Sequence, residues 1–114
     1  MKLYRYTQKT SVVPATDCES AAERYDMTVR ALAPIDEKDF EVIIEHEDFV
    51  RIFRFARMLS TADQYNWSDV ETLTASYVEH LGYQLSKEEL WEGILVWVER
   101  FDDVDDEEIE DWIN

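Results

Sequence analysis

Apolar residues recur along this chain with two different periods, and the changes of period divide it into elements. Residues 2–7, KLYRYT, alternate long apolar with polar side chains, and SVVPAT is a second β-favouring piece after a polar break. Together they predict a short edge hairpin. Pro14 must lie at its end or on its outer edge, because proline has no N–H to give to a ladder. Thr16 stands three residues before Glu19, a capping box opening a helix through Cys18, Ala21, Ala22 and Tyr25. Residues 26–33 fit both periods. Met27, Val29 and Ala31 alternate as in a strand, while Ala22, Tyr25, Val29 and Leu32 continue the helical stripe, and the helix is preferred.

Pro34 closes that element, and Asp36 is placed to cap a helix carrying Phe40, Ile43 and Ile44. The phase then slips. Phe49, Ile52, Phe53, Ala56 and Leu59 form a new helical set, turned by more than a right angle at ~100° per residue, so the helix either breaks near residues 45–48 or is buried on two faces. Two further helices have a start signal and a periodic face. Ser68 with Glu71 opens one, bearing Val70, Leu73, Tyr77, Val78 and Leu81, with Gly82 at its end. Ser86 with Glu89 opens the other, bearing Leu90, Trp91, Ile94, Leu95, Val98 and Phe101. The short link between them predicts an antiparallel pair. Asp105 and Glu108 make a weaker cap-like pair ahead of Ile109, Trp112 and Ile113. The prediction is a mainly α, small compact helical domain over residues 1–104, or α+β if the N-terminal hairpin forms. Residues 105–114 follow as an acidic C-terminal helix or tail docked on it.

Charge changes this picture most. The 114 residues carry 27 Asp and Glu against 11 Lys and Arg, a formal net charge of −16. The excess is graded along the chain: +1 over residues 1–34, −3 over 35–62, −6 over 63–98 and −8 over 99–114. A salt-adapted surface would spread its acids evenly. Acids three or four residues apart on a helix repel by about 0.2–0.5 kcal/mol per pair. Glu88/Glu92, Glu99/Asp102/Asp103, Asp103/Glu107 and Glu107/Glu110/Asp111 repeat that cost, so something other than stability favours them.

Candidate chemistry is sparse. The single cysteine, Cys18, excludes an internal disulfide framework and reads as a small apolar residue in a helix. His46 and His80 read as surface histidines, and neither has a nucleophile signature around it. The only two glycines, Gly82 and Gly93, exclude every phosphate-cradling glycine loop. The acidic run 102–108 offers hard oxygen donors, but it lacks the glycine an EF-hand turn requires. No catalytic residue, cofactor or metal is therefore expected, and the chain is read as no enzyme. Arg51, Arg54 and Arg57, on the most apolar helix, are expected to neutralise carboxylates of neighbouring elements. No apolar run is long enough to span a bilayer, and no secretory signal precedes the first element. A cytoplasmic location, in a bacterial host cell, is expected.

A net charge of this sign repels phosphate and anionic lipid, so neither direct nucleic-acid nor membrane contact is expected, and the anticipated partner is a basic protein. Duplex DNA presents one negative charge per ~1.7 Å of axis, and carboxylates at helical spacing imitate such a field. The predicted partner-binding ridge comprises Glu88, Glu92, Glu99, Asp102, Asp103, Asp105, Asp106, Glu107, Glu108, Glu110, Asp111 and Trp112. Trp91, Trp97 and Phe101 could add apolar anchors, although the first two are assigned to the core. In size, charge and tail the chain resembles the small acidic anti-restriction and anti-CRISPR inhibitors of phages and plasmids, which imitate nucleic acid. That resemblance implies inhibition of a basic nucleic-acid-binding protein or complex. It is also similar to immunity proteins that neutralise basic bacterial toxins such as nucleases, and an acidic adaptor subunit is the third alternative. A homodimer is compatible with all three.

Overall fold

The computed structural model describes residues 1–7, 11–29, 39–101 and 103–113, with the backbone alone at 24–29, 106 and 112. Strands β1 (Lys2–Tyr6) and β2 (Val12–Ala15) form the expected hairpin, and β3 (Phe40–Ile44) pairs with the other side of β1, giving an antiparallel sheet of order β2-β1-β3. Pro14 sits in the edge strand β2, opposite Leu3. The protein is therefore α+β, mainly helical with a small three-stranded sheet.

The third strand corrects the helix expected over Phe40, Ile43 and Ile44. Leu3 pairs with Ile44 but Tyr4 with Val42, so Ile43 is an extra residue in a β-bulge. The bulge breaks the period of two. Phe40 packs with Tyr4, Val13, Ala15 and Ala21 on one face of the sheet, while Ile43 and Ile44 join Leu3 and Val12 on the other. That interruption imitates the i, i+3, i+4 spacing of a helix, and β-branched Val42, Ile43 and Ile44 were the counter-signal. Pro34, the proposed cap Asp36, and the 30–33 part of the ambiguous stretch lie outside the described residues.

Helix α1 (Cys18–Val29) covers the Tyr4 face of the sheet. Its cap is Asp17, whose carboxylate accepts from the Ser20 N–H at 2.8 Å, one residue later than the Thr16 box expected. Tyr4 is 2 % exposed. Burial, then the nearby Cys18 thiol and Asp17 carboxylate, push its phenol up to about 12. Because the folded state holds this proton after the unfolded chain has released it near pH 10, stability should fall between roughly pH 10 and 12. Tyr4→Phe should flatten that fall, as read from unfolding midpoints across this range.

The opposite face carries the main core. Glu45 breaks the chain between β3 and α2 (His46–Thr61), and Phe49, Ile52, Phe53, Ala56 and Leu59 are all buried as the periodicity predicts. Helix α3 (Trp67–His80) begins earlier than the Ser68 box implies. Asn66 and Asp69 form its capping box, and Val70, Thr74 and Val78 point inward, leaving Leu73 37 % exposed. The helix ends at Gly82, whose φ of +94° is the left-handed conformation that glycine adopts without strain.

Ser86 and Glu89 form the predicted box for α4 (Lys87–Leu90), which continues through a π-helical turn (Trp91–Leu95) into α5 (Val96–Arg100). Lys87 lies beside Glu71, and Trp91 beside Trp67, so α3 and α4 do run antiparallel where they touch. The π turn was not foreseen. Its buried Gly93 lies under the sheet, where a Cβ would stand 2.8 Å from Leu3 Cδ1 and 3.2 Å from Val12 Cγ2. Helix α6 (Asp106–Ile113) closes the described chain, with Ile109 and Ile113 in the main core.

Candidate functional site

The C-terminal acids stand on two helical surfaces. On α4–α5, Leu90, Ile94, Leu95 and Val98 face the core, while Glu88, Glu92, Val96 and Glu99 follow one another at helical spacing and are exposed. Asp103, in the following turn, is also exposed. On α6, Ile109 and Ile113 point inward, and at ~100° per residue Glu107 and Asp111 fall on the opposite side; both are exposed, as are Asp105 and Glu108. Asp102, and the side chains of Asp106 and Trp112, lie outside what is described.

Glu110 differs from the other predicted contacts. It flanks the buried stripe of α6, and its carboxylate pairs with the guanidinium of Arg54 on α2. It is half-buried and engaged inside the protein. Arg57, one turn further along α2, donates to the backbone carbonyls of Phe101 (2.6 Å) and Val104, which places a cation at the C-terminal end of α5. Arg51 pairs instead with Asp48 on its own helix, at 3.2 Å. Arg54 thus meets the expectation of a carboxylate from a neighbouring element, Arg57 is drawn also to main-chain oxygens, and Arg51 is satisfied locally. The Met1 amino group adds a further tie, donating to the Ile113 carbonyl at 3.0 Å and lying 2.7 Å from His46 Nδ1.

Trp91, Trp97 and Phe101 lie against the body. The Trp91 indole donates to the Glu71 carboxylate at 2.5 Å, and its ring meets Trp67 with centroids 5.7 Å apart. Trp97 stacks on Phe101 at 5.4 Å, and the Arg100 guanidinium lies over both rings. Arg100 is the only cation of residues 88–113.

The chain matches no protein-family model, and its comparison with curated proteins and with solved structures finds no significant match.

Two features of this region escaped the sequence. Glu89, read only as a helix cap, also receives Arg5 Nε (3.0 Å) and a terminal guanidinium nitrogen (2.8 Å) from β1. The second is a groove of about 650 Å³ between α2 and the 104–110 segment, lined by Arg54, Arg57, Met58, Thr61, Val104, Asp105, Ile109 and Glu110. Met58 lies off the buried stripe of α2 and is 60 % exposed, which is the signal the sequence did carry. Among the described residues no group of three His, Cys, Asp or Glu side chains is placed to hold a metal, and no helix is long and apolar enough to cross a membrane.

Proposed function

We propose that this protein is a non-enzymatic inhibitor that occupies the basic nucleic-acid-binding groove of another protein, its C-terminal carboxylates standing in for phosphates. The observation that carries this reading is the mounting of the acids. Glu88, Glu92 and Glu99 occupy the outward side of one helical segment, and Glu107 and Asp111 that of another whose inward side is packed into the core. Carboxylates on ordered helices need little reorganisation on binding, so more of the electrostatic attraction appears as affinity. Their attraction to a basic groove acts over a Debye length of ~8 Å at physiological ionic strength, so it speeds encounter and weakens with salt.

Capture from a bacterial lysate at two salt concentrations, with duplex DNA as competitor, tests the reading. The expected result is a basic nucleic-acid-binding protein retained at low salt, released at high salt and displaced by DNA. Replacing Glu92, Glu99, Asp103 and Asp111 with lysine should slow association with that protein by about tenfold or more at low salt. Because all four are exposed, the circular dichroism spectrum should stay unchanged. Undiminished association by the folded variant would reject this surface. A basic nuclease toxin that DNA fails to displace would transfer the protein to the immunity class.

A further inference from the structure

The groove between α2 and α6 combines an apolar floor with a rim of mixed charge, Arg54 and Arg57 beside Asp105 and Glu110. Met58, Val104 and Ile109 supply the floor, and at 60 % exposure Met58 is the most exposed large apolar side chain among the described residues. The cations at its rim are already engaged, Arg54 by Glu110 and Arg57 by the Phe101 and Val104 carbonyls. Asp105 lines the groove, and Glu107, Glu108 and Asp111 are exposed beyond that lining on α6, Glu107 and Asp111 on the side turned away from Ile109.

We infer that this groove is the docking site for a basic amphipathic segment of the partner, which seats an aliphatic side chain against Met58 and sets flanking lysines or arginines among the carboxylates. The inference rests on the basic-partner reading above and adds to it an apolar anchor that nucleic acid does not supply. Charge complementarity selects the occupant. A second copy of this chain would bring another net −16 to the same place, whereas a cationic segment removes like-charge repulsion as it docks. A groove of about 650 Å³ readily takes one large side chain, and methionine's unbranched thioether adapts to the shape offered. Anchors of this kind, ringed by polar contacts, carry a disproportionate share of binding energy.

The test uses the full chain labelled with ¹³C at the methionine methyls, the Met58 signal being the one lost in Met58→Leu. Two peptides of equal charge and about five helical turns serve as probes, one of Leu and Lys in amphipathic order and one with Ala replacing every Leu. The Leu/Lys peptide should shift the Met58 methyl and bind about tenfold more tightly than the Ala/Lys peptide. Met58→Gln, which keeps the charge and changes an exposed position, should remove that difference. Equal binding of both peptides with the Met58 methyl unmoved would overturn the groove while leaving the acidic reading standing. If neither peptide binds, both readings fail. Dimerisation of the protein alone, abolished by Met58→Gln, would assign the groove to a second copy and also overturn the inference.

Discussion

Glu89→Ala is expected to lower the unfolding free energy by about 3 kcal/mol, because two separate jobs end with one carboxylate. Glu89 Oε1 accepts from the Ser86 N–H, completing the cap of α4, while Oε2 accepts both Arg5 nitrogens across the interface between sheet and helix. The Glu89 side chain is 12 % exposed and that of Arg5 30 % exposed, so alanine strands a guanidinium with limited access to water. Arg54→Ala provides the contrast. Its pair with Glu110 is about half exposed on both sides, and solvent screening holds the loss under about 1 kcal/mol. Urea unfolding should show the Glu89→Ala midpoint falling well below that of Arg54→Ala with unchanged slope. Equal midpoints would mean that the Arg5 pair contributes no more than a surface contact.

Phe53→Ala should cost more still, about 3–5 kcal/mol. Phe53 is fully buried on α2, its ring stacked with Phe49 at 6.2 Å, and the helix is held by α3 on one side and by the sheet and α5 on others. Surroundings fixed from several directions collapse poorly into a void, so most of the cavity term survives. Thermal unfolding should put the variant far below Met58→Ala, whose side chain lies mostly in water and should change stability little. A loss near 1 kcal/mol for Phe53→Ala would show that the core repacks freely.

Helical periodicity exposed the centre of this fold well, because α2 is buried along one stripe and its spacing reports that stripe directly. The hairpin, the Ser86–Glu89 box and the Gly82 terminus were equally legible, each being a local arrangement whose residues are adjacent in sequence. Misreadings arose where a local signal had a nearby competitor. Asn66 with Asp69 outcompeted Ser68 with Glu71, and Asp17 outcompeted Thr16, since either start would satisfy the first-turn donors. Thr74 took an inward place that hydrophobicity assigned to Leu73, because neighbours on α2 decide which side of α3 is covered. The π turn had no local signal that was read, and its Gly93 sits against Leu3 and Val12, residues remote in sequence.

For the candidate site the division is similar. The sequence by itself determined that the negative charge is concentrated toward the C-terminal end, because charge is additive and needs no fold to be counted. It also determined that Glu88 and Glu92 stand four residues apart, about one helical turn, whereas the phase of Glu99 follows the π turn that precedes it. Only the tertiary structure decided that Glu110 pairs with Arg54, that Arg57 holds the Phe101 and Val104 carbonyls, and that Met58 opens onto a groove. Those outcomes depend on which surfaces of α2 and α6 meet, and partners separated by 44 to 56 positions leave no periodic trace along the chain.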